Sequence, residues 1–306
     1  MIFEWRGIFP AVTTQFTEDD NLDLDLFVKN IKAQIGAGVN GIVIGGSLGE
    51  ASTLIPEEKS VLVKEALKIS NGRIPVIMNI SEQSTKQALH SVEKAKEDGA
   101  DGLMLLPPMK YKATNYETVE YFKAIAESTD LPIMIYNNPV DYKIEVTTDM
   151  FEQLLECGNI NAVKDSTRDI NNVTRMINRF GDRFKVLTGV DPLAMESLLM
   201  GAHGWVAGLV CAFPRETVAI YRLIKAGRIN EALKINRWFL PLLELDISPQ
   251  LVQNIKMAEA ATGMGTENVR LPRLPLTGKE RERVQLIIED ALKTRPVLPD
   301  YLSLKS

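Results

Sequence analysis

The chain has 306 residues, 45% of them hydrophobic and 25% charged, with a formal net charge of −5. That supplies a large core, and the basic residues are spread along the chain instead of forming the patch that nucleic acid or an anionic membrane requires. Two histidines (His90, His203) and two distant cysteines (Cys157, Cys211) exclude a multi-histidine metal site and match no zinc or disulfide pattern.

No apolar run approaches the ~20 residues of a membrane span. The opening MIFEWRGIFP lacks the basic flank and cleavage site of a signal peptide. A cytoplasmic protein with reduced, buried thiols is expected.

In chain order, short apolar runs suited to buried strands fall at 8–13, 41–44, 75–79, 102–105, 132–136, 160–164, 185–188 and 204–207. Amphipathic helices separate them: Phe27, Ile31 and Ile35 form one stripe, and Val119, Phe122 and Ala126 another. Pro56-Glu57-Glu58 and Ser84-Thr85-Lys86-Gln87 read as helix starts. Gly38-Val39-Asn40-Gly41, Gly99-Ala100-Asp101-Gly102 and Gly201-Ala202-His203-Gly204 are three near-repeats of a helix-to-strand turn. Eight apolar strands alternating with helices predict an α/β fold, a (β/α)8 TIM barrel. An open doubly wound sheet competes, but no GxGxxG follows the first strand. From Arg215 onward only helices are predicted, at 216–225, 228–245, 249–262 and 278–292. We therefore assign the barrel to 1–226 and a C-terminal helical extension to 227–306, whose proline-rich stretch 294–299 lies over a surface.

Barrel chemistry sits at the C-terminal ends of the strands. The second strand ends in Gly45-Gly46-Ser47-Leu48-Gly49-Glu50, a loop whose amides and hydroxyl suit an anion, or simply a turn. The fifth ends at Tyr136-Asn137-Asn138-Pro139; the tyrosine is either core or a proton relay. The sixth ends on Lys164. Buried, this amine would be a nucleophile; solvated, it would merely pair with Asp165. Strands five and six are neighbours, so Tyr136 and Lys164 are close enough to share one ligand. Gly189 and Val206, on strands seven and eight, leave room beside it.

These motifs, the glycine loop ending Gly49-Glu50, Tyr136-Asn137-x-Pro139 and Val163-Lys164-Asp165-Ser166, resemble the dihydrodipicolinate synthase / N-acetylneuraminate lyase family along essentially the whole chain. The resemblance implies a barrel enzyme, usually a homotetramer built as a dimer of dimers. It also implies a Schiff base between Lys164 and a 2-oxo acid, with no metal or organic cofactor. Tyr136 takes the place of the proton-shuttling tyrosine. Gly46, Ser47 and Leu48 match the loop that grips the substrate carboxylate, and Gly189 and Val206 match positions closing the pocket.

The departures from the family are informative. Where the lysine-biosynthetic synthases carry a carboxylate-binding arginine, this chain has Asp141, which disfavours dihydrodipicolinate synthesis. Ser47 and Leu48 stand in place of two threonines, and the tyrosine pair after strand four falls at Met109-Lys110, with Tyr111 one position on. Phe9-Pro10-Ala11-Val12-Thr13-Thr14-Gln15-Phe16, Gly46-Ser47-Leu48-Gly49-Glu50, Tyr136-Asn137-Asn138-Pro139-Val140, Pro249-Gln250-Leu251-Val252-Gln253 and Pro272-Arg273-Leu274-Pro275-Leu276 resemble the 1-pyrroline-4-hydroxy-2-carboxylate deaminase branch of hydroxyproline catabolism. On that resemblance Asn138, Tyr111 and Asp141 are candidates for the substrate's hydroxyl or ring nitrogen, or else make loop hydrogen bonds. The alternatives are a 2-keto-3-deoxy-sugar-acid or 4-hydroxy-2-oxoglutarate aldolase or dehydratase, and a non-catalytic barrel that binds small acids.

Overall fold

The computed structural model describes residues 3–108 and 110–304; Met109, one of the two positions aligned with the family's tyrosine pair, lies outside them. Eight parallel strands alternate with helices: β1 (Gly7–Pro10), β2 (Ile42–Ile44), β3 (Val76–Ile80), β4 (Gly102–Leu105), β5 (Ile133–Asn137), β6 (Ile160–Asp165), β7 (Lys185–Thr188) and β8 (Gly204–Ala207). Strand order follows the chain, and β1 pairs with β8, Phe9 opposite Val206. On the other side, a parallel bridge between Ala11 and Val43 closes the (β/α)8 barrel between β1 and β2. Apart from Asn161 and Lys185, every strand residue is buried, as expected for a parallel sheet filled inside and covered outside.

The helical stripes fall as expected. Phe27 and Ile31 are buried on the helix Leu24–Ala37, and Val119, Phe122 and Ala126 on Asn115–Glu127. Ser84 caps the helix Thr85–Glu97 by accepting from the Gln87 amide. The repeated turns have one cause: Gly38, Gly99 and Gly201 each sit at φ between 91° and 105°, where a side chain would be strained.

Two strand ends differ from expectation in ways that matter. The first strand stops at Pro10 as a continuous ladder, and the residues after it pair singly, the Ala11 amide with the Ala207 carbonyl and the Val12 amide with the Val43 carbonyl. The sixth runs one residue past Lys164, through Asp165, so the lysine is inside the sheet and not leaving it.

The extension shares the barrel's core. Phe213, which precedes the helix Pro214–Lys225, meets Trp238 and Phe239 of the helix Ile229–Leu243 edge to face at 5.9 and 5.6 Å. The helix Leu251–Thr262 is tied to the loops after β1 and β2 by buried polar groups. Lys256 Nζ donates to Glu50 Oε1 at 2.6 Å with both side chains fully buried, and the Glu259 carboxylate accepts from Thr13, Gln15 and Asn30. Burial pushes Glu259 up to about 7.

Without Lys256 the buried Glu50 carboxylate keeps only the Arg270 amide at 3.0 Å and the Arg273 guanidinium at 3.7 Å, so Lys256→Met should destabilise the fold by about 3 kcal/mol, and adding Glu50→Gln should recover part of that loss. Urea unfolding midpoints of both single variants and the double test this; simply additive losses would show that the pair is not coupled.

Candidate active site

At the C-terminal ends of the strands lies a cavity of about 500 Å³, lined on one side by the segment that joins the helices Ile229–Leu243 and Leu251–Thr262. That volume suits a small ligand. A larger depression of about 790 Å³ adjoins it and shares Ser47 and Tyr142. Its two lysines are Lys59, paired with Glu82, and the exposed Lys86, so neither is a buried, unpartnered amine.

Lys164 stands in the cavity wall, directly opposite Tyr136 in the β5–β6 register. It is 7% exposed, and its Nζ lies 4.0 Å from the Tyr136 ring centroid. It makes no hydrogen bond or ion pair with any described residue. Burial lowers its pKa, against the pull of Asp246, Tyr142, Asp191 and Asp141. Desolvation without a dedicated partner favours the neutral amine, the form that can add to a carbonyl. The pairing with Asp165 is not found. Asp165 is itself buried and accepts instead from the Thr167 amide (3.0 Å) and Asn172 (3.2 Å).

Tyr136 keeps its proton, because burial pushes it up to about 12. Its hydroxyl accepts from Asn138 Nδ2 at 3.1 Å, and the same amide donates to Asp141 Oδ2 at 2.7 Å. Asn138 and Pro139 also start a short helix, Pro139–Tyr142, by the usual chemistry of an Asx cap followed by proline at the first position. That turn sets Asp141 and Tyr142 at the cavity. Tyr142 lies edge-on to Tyr136, 5.8 Å between centroids, and its hydroxyl contacts that of Ser47.

The glycine loop turns out of β2 at Gly45 (φ 66°), where Asn79 of β3 holds the Gly45 carbonyl at 2.8 Å. Beyond it, the amides of Ser47, Leu48 and Gly49 donate to no described acceptor, which leaves N–H groups for an anion. Gly189 is needed for space. A Cβ there would stand 2.5 Å from Lys164 Cε and 2.3 Å from Ser166 Oγ.

Lys164, Tyr136, Gly46, Ser47, Leu48, Gly189, Val206, Asn138 and Asp141 thus come together around one cavity. Tyr111 does not. It is 54% exposed in the turn after β4 and lines no part of it, because the turn points it into solvent. Sequence reasoning missed Tyr142, Ser166, Arg168, Asp191 and Asp246. Tyr142 had a usable signal in the Asn-Pro helix start. Arg168 adopts φ 62° at the cavity edge, and its guanidinium, with no described partner, favours approach of an anion. Among the described residues no His, Cys, Asp or Glu cluster is arranged to hold a metal.

Gly189→Ala should displace the lysine side chain by a fraction of an ångström or more and slow reductive capture of a 2-oxo acid about 100-fold while the fold persists. An unchanged capture rate would show that the cavity has slack around Lys164.

Comparison with known proteins agrees with this architecture. The profile of the dihydrodipicolinate synthetase family matches residues 4–291. The 4-hydroxy-tetrahydrodipicolinate synthase 1 of Halalkalibacterium halodurans is 30% identical over 281 residues, 92% of this chain and 95% of that protein. An uncharacterized DapA-like lyase of Rhizobium meliloti is 34% identical over 292 residues, 92% of this chain and 96% of that one. The structure of dihydrodipicolinate synthase from Acinetobacter baumannii complexed with pyruvate matches with a TM-score of 0.89 at 30% identity, over 94% of this chain and 98% of the other. Matched over nearly its whole length in sequence and in fold, the chain belongs to the dihydrodipicolinate synthetase family and is an enzyme of its class I aldolase-type, Schiff-base lyase kind.

Proposed function

We propose that the chain is a 1-pyrroline-4-hydroxy-2-carboxylate deaminase acting through a Schiff base on Lys164. The observation that carries this reading is the Asn138 fork, in which one amide binds both the Tyr136 hydroxyl and the Asp141 carboxylate. It holds an acceptor group in the same cavity as the nucleophile. A carboxylate there repels a second substrate carboxylate and accepts from a hydroxyl or an ammonium. A cyclic imino acid with one carboxylate has that polarity. The aldehyde substrate of the synthases, with a carboxylate of its own, does not.

In this reading the free amides of Ser47, Leu48 and Gly49 bind the single carboxylate, as a small-acid site must, and the A. baumannii relative is a precedent in being complexed with pyruvate. Lys164 adds to the ring carbon bearing the carboxylate, and the ring opens as the lysine iminium forms. Tyr136 gives its proton to the departing ring nitrogen and, as the phenolate, takes one from the neighbouring carbon; Tyr142 packs edge-on against its ring, with its own hydroxyl on Ser47. Loss of the hydroxyl as water, tautomerisation and hydrolysis then give 2,5-dioxopentanoate and ammonia. The assembly this reading carries is the family's homotetramer, and the compartment the cytoplasm. Among the described residues no helix is long and apolar enough to cross a membrane.

Purified enzyme incubated with 4-hydroxy-1-pyrroline-2-carboxylate should release ammonia in step with substrate loss. Pyruvate or glyoxylate released from 4-hydroxy-2-oxo acids, without ammonia from the imine, would assign the same Schiff base to an aldolase instead.

A further inference from the structure

Two carboxylates from outside the fifth and sixth strands face Lys164, and they are built for different tasks. Asp191 follows β7 and is fully buried. Its oxygens accept from Trp205 Nε1 (2.8 Å), the Gly208 amide (3.1 Å) and the Leu209 amide (2.7 Å), so its hydrogen-bonding capacity is spent on holding the end of β8. Asp246 belongs to the extension, in the segment between Ile229–Leu243 and Leu251–Thr262. It lines the cavity, and its one contact with a described donor is a long one, the Asp191 amide at 3.4 Å.

The barrel makes room for this side chain. A Cβ on Gly208, just past β8, would lie 2.6 Å from Asp246 Oδ1, so the missing side chain at that position is what admits the carboxylate. A carboxyl group brought into the cavity from a distant part of the chain, spared hydrogen bonds and placed beside the amine is arranged as a reagent, not as a strut.

We propose that Asp246 is the general acid of the dehydration step, giving the proton with which the substrate hydroxyl departs as water. The inference rests on the deaminase reading above. After Tyr136 has taken a proton from the carbon next to the iminium, the intermediate is an enamine. Its nitrogen lone pair re-forms the C=N bond, the enamine π pair moves to make the next C=C bond, and the C–O bond breaks with its electron pair on oxygen. The Asp246 O–H proton joins that oxygen, and water leaves. The iminium cation that results lies beside a newly formed Asp246 carboxylate, its counter-ion. The carboxylate recovers a proton when the carbon bearing the amine is deprotonated in the tautomerisation that follows.

The electrostatics allow this cycle. Burial and the neighbouring Asp191 charge push Asp246 well above the ordinary carboxylate range, and the Lys164 cation pulls it back. The groups facing it are Lys164 from β6, Asp191 after β7 and Asp141 after β5; a neutral lysine favours the protonated carboxyl, and an iminium cation in its place favours the carboxylate.

The test compares wild type with Asp246→Asn on the hydroxylated cyclic imine, and with pyruvate. The variant should still be captured on borohydride reduction with pyruvate, which requires a folded site. With the imine it should accumulate a reduced adduct that retains the hydroxyl, heavier by one water than the dehydrated species. Its ammonia release should fall about 100-fold or more, and a decline of kcat at high pH, expected in the wild type, should be lost. Ammonia release at the wild-type rate in Asp246→Asn would overturn the role of Asp246 alone. Loss of pyruvate capture together with turnover would show that Asp246 only holds the site together, and would also overturn it. A wild-type enzyme that releases no ammonia would bring down the deaminase reading, and this step with it.

Discussion

Everything at the site depends on the cost of removing one ammonium group from water. An ion of that size loses several kcal/mol on burial unless protein groups replace its hydration. Lys164 receives little replacement. It has an aromatic face at 4.0 Å, the diffuse field of carboxylates that do not touch it, and no hydrogen bond to a described residue. The protein thus favours the neutral amine, which is the form able to attack a carbonyl.

The second deeply buried lysine shows what a structural solution looks like. Burial lowers the pKa of Lys256 too, but it donates to Glu50 at 2.6 Å and to the Asn268 carbonyl at 2.5 Å. Its charge is met by a fixed partner, and the result is a tie between the helical extension and the loop after β2. The two lysines are alike in burial and differ in partnership, and partnership separates a tie from a reagent. The same contrast applies to the carboxylates. Asp191 is saturated with donors, whereas Asp246 is nearly bare and reaches the cavity only because residue 208 is a glycine.

Much of this architecture was legible in the chain. Alternating buried strands and amphipathic helices leave few options for a parallel sheet of eight, and strand ends then name the cavity's floor: Lys164, Tyr136, the Ser47 loop and Gly189. Groups whose position depends on tertiary contact were not legible. Asp246 sits among residues that look like an exposed helical linker, and nothing local says that the linker folds over the barrel mouth. Lys256 has the helical setting of a solvated charge until Glu50 is placed against it. Tyr111 stands apart from the cavity of its own subunit: its spacing after the fourth strand suggested a site, and the turn leaves it exposed on the single chain. Tyr142 was within reach, since Asn138 before Pro139 is a helix start and one helical turn brings Tyr142 to Ser47.

The claim beneath the rest is that the unpartnered lysine, and not another, is the nucleophile. Borohydride reduction in the presence of pyruvate, followed by peptide mapping, addresses it directly. The account predicts a single irreversible adduct on the peptide containing Lys164. An adduct on Lys256 or on a surface lysine, or no adduct with the protein fully folded, would contradict it.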